Sequence, residues 1–354
     1  MKLFEILIKI DFLKKDINFK EFKKDYIYHA IGEKIYIDKI KFNCNEIKIS
    51  GKRTAAIDPK NMLYTKKSRV YRECVSSLLF LYFKYGNFKI LQISLNNHTV
   101  PEYFQKFETE LPFDFNDIDI DLLFDYRDDK IYIPLMHIVE ASYYPQYALE
   151  HSWKAFNYIY NTKTGNNKDK EGIQEVIKII RANEKDFESI LKIAKKIFYN
   201  ITIANVIKYV CKNDNTLYKH PIKFLNSLEI SSFNDKELLQ FIKERFNNIY
   251  KKYKADYEKN KATGSYMHIK TKDYASGIKN LDRNIKKGTE KEYSDYILFL
   301  ILYIQYLRNK SMHGVFPSPS FIFTTEYTEE LNAWSEFVCR LCIELLKNNI
   351  YELS

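Results

Sequence analysis

The period of the apolar residues changes once along this chain, at about residue 146. Before that point, short runs alternate apolar with polar positions, as in residues 1–10, 34–42, 88–95 and 130–136. The turn-forming pairs Asn96-Asn97 and Asp128-Asp129 separate them. A period of two places alternate side chains on one face of a strand. Residues 70–85 are the exception in this half, and their spacing predicts a helix. After residue 146 the apolar positions recur three and four apart, in residues 147–160, 172–182, 186–199, 201–211, 235–253, 292–312 and 326–348. Each such window predicts a helix with one buried stripe. The expected fold class is therefore α+β: a β-rich module over residues 1–145, then an all-α bundle over residues 146–354.

With 354 residues, 45% apolar and 29% charged, the chain has enough apolar surface for a packed core, which excludes a disordered class. Only 9 Gly and 8 Pro are present, and neither a dinucleotide fingerprint nor a Walker loop occurs. Five cysteines are too few for a disulfide framework, and their number is odd, so a reducing, cytoplasmic compartment is expected. Cys339 and Cys342 form C-x-x-C inside a helical window with no second pair, and read as two small apolar residues on a packed face. Residues 1–10 hold Glu5 and Lys9 and lack a small-residue cleavage site, unlike a signal peptide. The most apolar stretch, residues 296–304, falls well short of the roughly 20 residues that cross a bilayer. No membrane association is expected.

The formal charge of +10 resolves into +10 over residues 1–100, −9 over 101–150 and +9 over 151–354. Residues 251–292, with 12 basic and 6 acidic side chains interleaved with tyrosines, read as a basic insertion suited to single-stranded nucleic acid. The acidic run at 108–121 reads as a solvated junction, or as a phosphate mimic docking on a basic surface. Lysine outnumbers arginine 47 to 9, a bias of composition, so the few arginines carry more information. Arginine presents a planar, permanently charged fork that matches phosphate.

One arginine, Arg308, begins the informative segment. It follows a long apolar helix, with Asn309 next to it, Lys310 after that, and His313 and Gly314 five and six residues on. Those types suit phosphodiester cleavage without a metal. A histidine can take a proton from a ribose 2′-hydroxyl or return one to the leaving oxygen. Arginine offsets charge growing on the phosphate, and Asn309 can position an oxygen. On an ideal helix, five residues separate the two side chains by about 140°. Bringing both to one phosphate requires the helix to end near Gly314 and Pro317, or two chains to build one cleft around a two-fold axis.

The spacing Arg-Asn-x-x-x-His at the end of a hydrophobic helix in an all-α C-terminal domain resembles the signature of the HEPN superfamily. Arg308, Asn309 and His313 match its three positions, and residues 147–160 look like the first helix of such a domain. The resemblance implies a helical bundle that commonly dimerises. It also implies a metal-independent endoribonuclease of the toxin, abortive-infection or CRISPR-associated kind, making 2′,3′-cyclic phosphate ends. The N-terminal module would then sense a trigger or recognise a partner, as antiviral defence requires of a toxic nuclease. A nucleotide-sensing Rossmann front module fits less well, because residues 1–145 show no early glycine turn and no regular βαβ alternation.

His151 and Lys154, on the first helix of the expected bundle, join Lys310 as candidate substrate-binding residues. His29, His98, His137, His220 and His268 stand apart from any H-x-x-x-H or H-E-x-x-H spacing, so no metal site and no cofactor are expected. The expected partners are RNA and a second copy of the chain. The competing reading is a non-catalytic nucleic-acid-binding or scaffold protein with an inactive bundle.

Overall fold

A computed structural model describes residues 1–14, 16–29, 35–54, 57–64, 68–100, 107–108, 129–144, 147–165, 168–200, 236, 239–240, 293–312, 325–348, 350 and 352. The helices expected over 201–211 and 235–253, the acidic run beyond residue 108 and the basic insertion at 251–292 lie wholly or almost wholly outside the described residues. The chain divides into two compact units: Met1–Ile159 with Tyr327–Lys347, and Tyr160–Glu326 with Asn348–Ser354. The change of period at residue 146 is one of pattern; the compact units part at 159/160, 326/327 and 347/348.

The first unit is built on six antiparallel strands: β1 (Lys2–Phe12), β2 (Phe22–His29), β3 (Ile35–Asn43), β4 (Glu46–Arg53), β5 (Phe88–Leu95) and β6 (His98–Val100). Their order across the sheet is β2-β3-β4-β1-β5-β6. Alternation decides which face is buried: Phe4, Ile6, Ile8 and Ile10 of β1 join Ile40, Phe42, Ile47 and Ile49 in the core, while Leu3 and Lys9 stay exposed. Asn96 and Asn97 both take positive φ, 50° and 68°, which closes the two-residue β5–β6 hairpin in the turn sense that matches strand twist.

Helix α1 (Pro59–Met62) is a single turn capped by Asp58, and α2 (Arg69–Tyr85) starts at Ser68, whose side chain accepts from the Tyr71 backbone N–H. Helix α2 packs on β4 and on α3 (Asp129–Tyr143). Helix α3 corrects a sequence expectation, since residues 130–136 alternate like a strand but fold as helix. Ile131, Tyr132, Leu135, Ile138 and Val139 are buried, and that spacing of one, four, seven and eight is helical. A seven-residue window is too short to separate the two periods; the window that runs on to Ser142 separates them. Pro134 sits inside this helix. The unit also holds most of α4 (Ala148–Thr164) and, after the second unit, α8 (Thr325–Lys347), which buries Trp334, Phe337, Cys339 and Cys342 among its core residues.

The second unit contains α5 (Asp169–Ala182), a 3-10 turn (Glu184–Phe187), α6 (Glu188–Asn200) and α7 (Tyr293–Met312). Helix α7 packs against α6 and α5. Every residue from Ser294 to Ile304 is buried, so α7 is apolar all round and runs through the core of its unit. Its one acid there, Asp295, is fully buried and ion-paired with Arg181 from the last turn of α5, whose Nε also donates to Ser294 Oγ at 3.2 Å. Among the described residues, no helix is long and apolar enough to cross a membrane. The architecture is α+β, an antiparallel sheet followed by mostly helical chain.

Candidate functional site

Helix α7 leaves the core in its last turns. Gln305, Tyr306, Arg308 and Asn309 are half-buried after eleven buried positions, so the end of an apolar rod carries a polar group. Arg308 Nη1 donates to Asn309 Oδ1 at 3.1 Å. Among the described residues Arg308 has no carboxylate partner, and its Nε is buried without a hydrogen bond. A guanidinium has five N–H donors in a fixed fork, and among the described residues Asn309 is the one acceptor Arg308 meets.

Beside this end stands a network that sequence reasoning missed. Tyr160 Oη donates to Asp169 Oδ1 at 2.5 Å, and Gln305 Nε2 donates to Asp169 Oδ2 at 3.0 Å. Each carboxylate oxygen thereby accepts one hydrogen bond. Burial pushes the Tyr160 phenol far above its ordinary range, the bond to Asp169 adds to that, and the positive charge of Arg308 opposes it. Gln305 and Arg308 are three apart and share a helix face. Asp169 opens α5, where a carboxylate is favoured by the helix dipole. Gly172, one turn later, makes the approach of α5 to Tyr160 feasible, because a Cβ there would lie 2.1 Å from the tyrosine ring. That mid-helix glycine is the single sequence signal that marks a close approach.

The other sequence-predicted residues distribute as follows. His313 lies outside the described residues, and so does the side chain of Lys310, although Lys310 itself belongs to α7. Lys154 Nζ meets Glu150 Oε1 at 2.8 Å, an i,i+4 pair on the partly exposed face of α4. His151, in the first unit, meets two residues of α3. Its Nδ1 is 2.9 Å from Glu140 Oε2, and His137 Nδ1 is 3.3 Å from the same oxygen. The His137 contact has the alignment of a hydrogen bond; the His151 contact is close but off-axis, leaving a buried ring nitrogen without an aligned partner. The two imidazoles, His137 first, hold the Glu140 carboxyl well below the usual carboxylate range.

His137 and Glu140 are three apart on α3, a spacing too common on helices to be a signal, and His151 reaches them from the next helix. The C-x-x-C expectation concerns residues that the structure places in the core: Cys339 and Cys342 are fully buried, and burial raises both thiols well above their ordinary range. No family model, no curated protein and no solved structure matches this chain.

Proposed function

We propose that this protein is a metal-independent endoribonuclease of the HEPN type that cleaves single-stranded RNA, acting as a regulated, toxin-like effector in antiviral defence. Arg308 offsets charge on the scissile phosphate, Asn309 orients the arginine and an RNA oxygen, and His313 moves the proton between the 2′-hydroxyl and the leaving 5′-oxygen. Attack by the 2′-oxygen on phosphorus breaks the bond to the 5′-oxygen and leaves a 2′,3′-cyclic phosphate and a 5′-hydroxyl. The proton lost by the former is gained by the latter, so no metal or redox partner enters the balance. In this reading the helical unit dimerises, and the sheet unit receives the trigger.

The observation that carries the proposal is the state of Arg308: half-buried at the end of α7 and, among the described residues, hydrogen-bonded only to Asn309 and paired with no carboxylate. A structural arginine in such a place would be expected to hold an acid. The test is cleavage of single-stranded RNA in EDTA by the wild type, Arg308→Ala and His313→Ala, with the product ends identified. The proposal expects cyclic phosphate ends and loss of activity in both variants. Strict magnesium dependence refutes the mechanism, and RNA binding without cleavage favours the scaffold reading.

A further inference from the structure

We infer that His137, Glu140 and His151 form a binding site for one divalent transition-metal cation of the zinc class, linking α3 to α4. The site belongs to the sheet-containing unit and is independent of the ribonuclease reading.

Three observations converge on it. The ligand atoms of the three side chains all lie within 4.8 Å of one another. The two distances to Glu140 Oε2, 3.3 Å from His137 and 2.9 Å from His151, are close to the about 3.3 Å that separates neighbouring ligands around a tetrahedral ion with bonds of about 2.0–2.1 Å. Without an ion, both imidazoles compete for one carboxylate oxygen, and His151 Nδ1 stays buried and unaligned. A cation between the three atoms would accept a lone pair from each ring and satisfy that nitrogen.

The surroundings suit such an ion. The three side chains are 29%, 34% and 17% exposed in the order His137, Glu140, His151, so a cation and its waters have an entry path while most of the ligand surface is held by protein. Tyr144 stacks on His151 with centroids 6.3 Å apart and planes at 28°, which restrains the ring. Two nitrogen donors and one oxygen donor select zinc-class ions over magnesium or calcium, which prefer all-oxygen shells. Three protein ligands leave at least one coordination position for water. An i,i+3 pair from one helix and a single residue from the next define the angle between the two helices once an ion joins them.

The test uses the full chain, stripped with chelator and titrated at neutral pH. Calorimetry with Zn²⁺ should show one equivalent bound, while Mg²⁺ should show no saturable binding. Co²⁺ should give visible d–d absorption without an intense thiolate charge-transfer band. His137→Ala and Glu140→Gln should each weaken Zn²⁺ binding by more than about tenfold. The proposal is overturned by the absence of stoichiometric Zn²⁺ binding, by undiminished affinity in both variants, or by a thiolate band, which would place the ion on a cysteine such as the exposed Cys44. If a variant does not fold by circular dichroism, the wild-type Co²⁺ spectrum still decides.

Discussion

Arg53 at the end of the sheet and Arg308 at the end of α7 occupy comparable positions, each half-buried where an apolar element gives way to polar residues. Their surroundings differ. Arg53 donates twice to Asp38, at 2.7 and 2.5 Å, and its guanidinium lies 4.6 Å from the centre of the Phe4 ring. Asp38 is fully buried, and Gly51 on the neighbouring strand leaves the space for it, since a Cβ there would come within 2.0 Å of Oδ1. Charge, shape and hydrogen bonding all close around Arg53. Among the described residues Arg308 has no ion-pair partner, and Asp169, which accepts from Tyr160 and Gln305, is not hydrogen-bonded to it. Burial alone therefore does not mark an arginine as structural. What marks it is whether the fold supplies its counter-charge.

Arg53 and Arg308 should therefore respond to substitution in opposite ways. The largest difference should appear in activity: under the proposed mechanism Arg308→Ala lowers RNA cleavage by about a hundred- to a thousandfold, while changing stability by only about 1 kcal/mol. Asp38→Ala should do the reverse. It removes the carboxylate from a mostly buried guanidinium and should cost about 3–5 kcal/mol in urea denaturation, with any remaining folded protein cleaving at the wild-type rate.

Next in size is Gly172→Ala. Alanine in a helix interior normally gains up to about 1 kcal/mol over glycine, but here the new methyl group meets the Tyr160 ring. The crowding should win, for a net loss of about 1–3 kcal/mol. A stabilised Gly172→Ala protein would show that α5 and Tyr160 are not packed this closely.

Tyr160→Phe tests the network beside Arg308, with an expected loss of about 1 kcal/mol for the missing hydrogen bond. Its pH dependence has a definite sign. The folded phenol holds its proton far above the ordinary value, so its contribution is complete below the unfolded value of about 10 and falls as pH rises beyond it. Wild type should therefore lose stability above about pH 10 more steeply than Tyr160→Phe, as read from urea midpoints. Equal slopes would remove Tyr160 from the account.

The smallest effect concerns the thiols. Cys44 is exposed, whereas Cys74, Cys339 and Cys342 are buried with their thiols raised by that burial. Mass mapping after brief alkylation of the native protein should find Cys44 labelled and those three unlabelled.

The strands at 34–42 and 88–95 and the helices at 70–85 and 292–312 were legible because each presents enough repeats of its period to identify it. Residues 130–136 were not. Seven residues with Ile131, Ile133 and Leu135 alternating satisfy a strand, and only continuation to Ser142, packed beside α2, selects the helix. Arg308 and Asn309 were legible as a motif at the end of an apolar run. Asp169, Tyr160 and Gln305 were not, because they come from three helices and Asp169 and Gln305 stand 136 positions apart. The same holds for His137, Glu140 and His151. Nothing in local spacing distinguishes a histidine that will meet a carboxylate from one that will face water.

The α+β class and the buried character of α7 follow from local periodicity in the sequence, and residue chemistry at short spacing singles out Arg308 and Asn309 as candidates. The tertiary structure alone decided which charges find partners. Pairing depends on distances of a few ångströms between segments far apart in the chain, and those distances exist only once apolar burial has packed the helices and strands together.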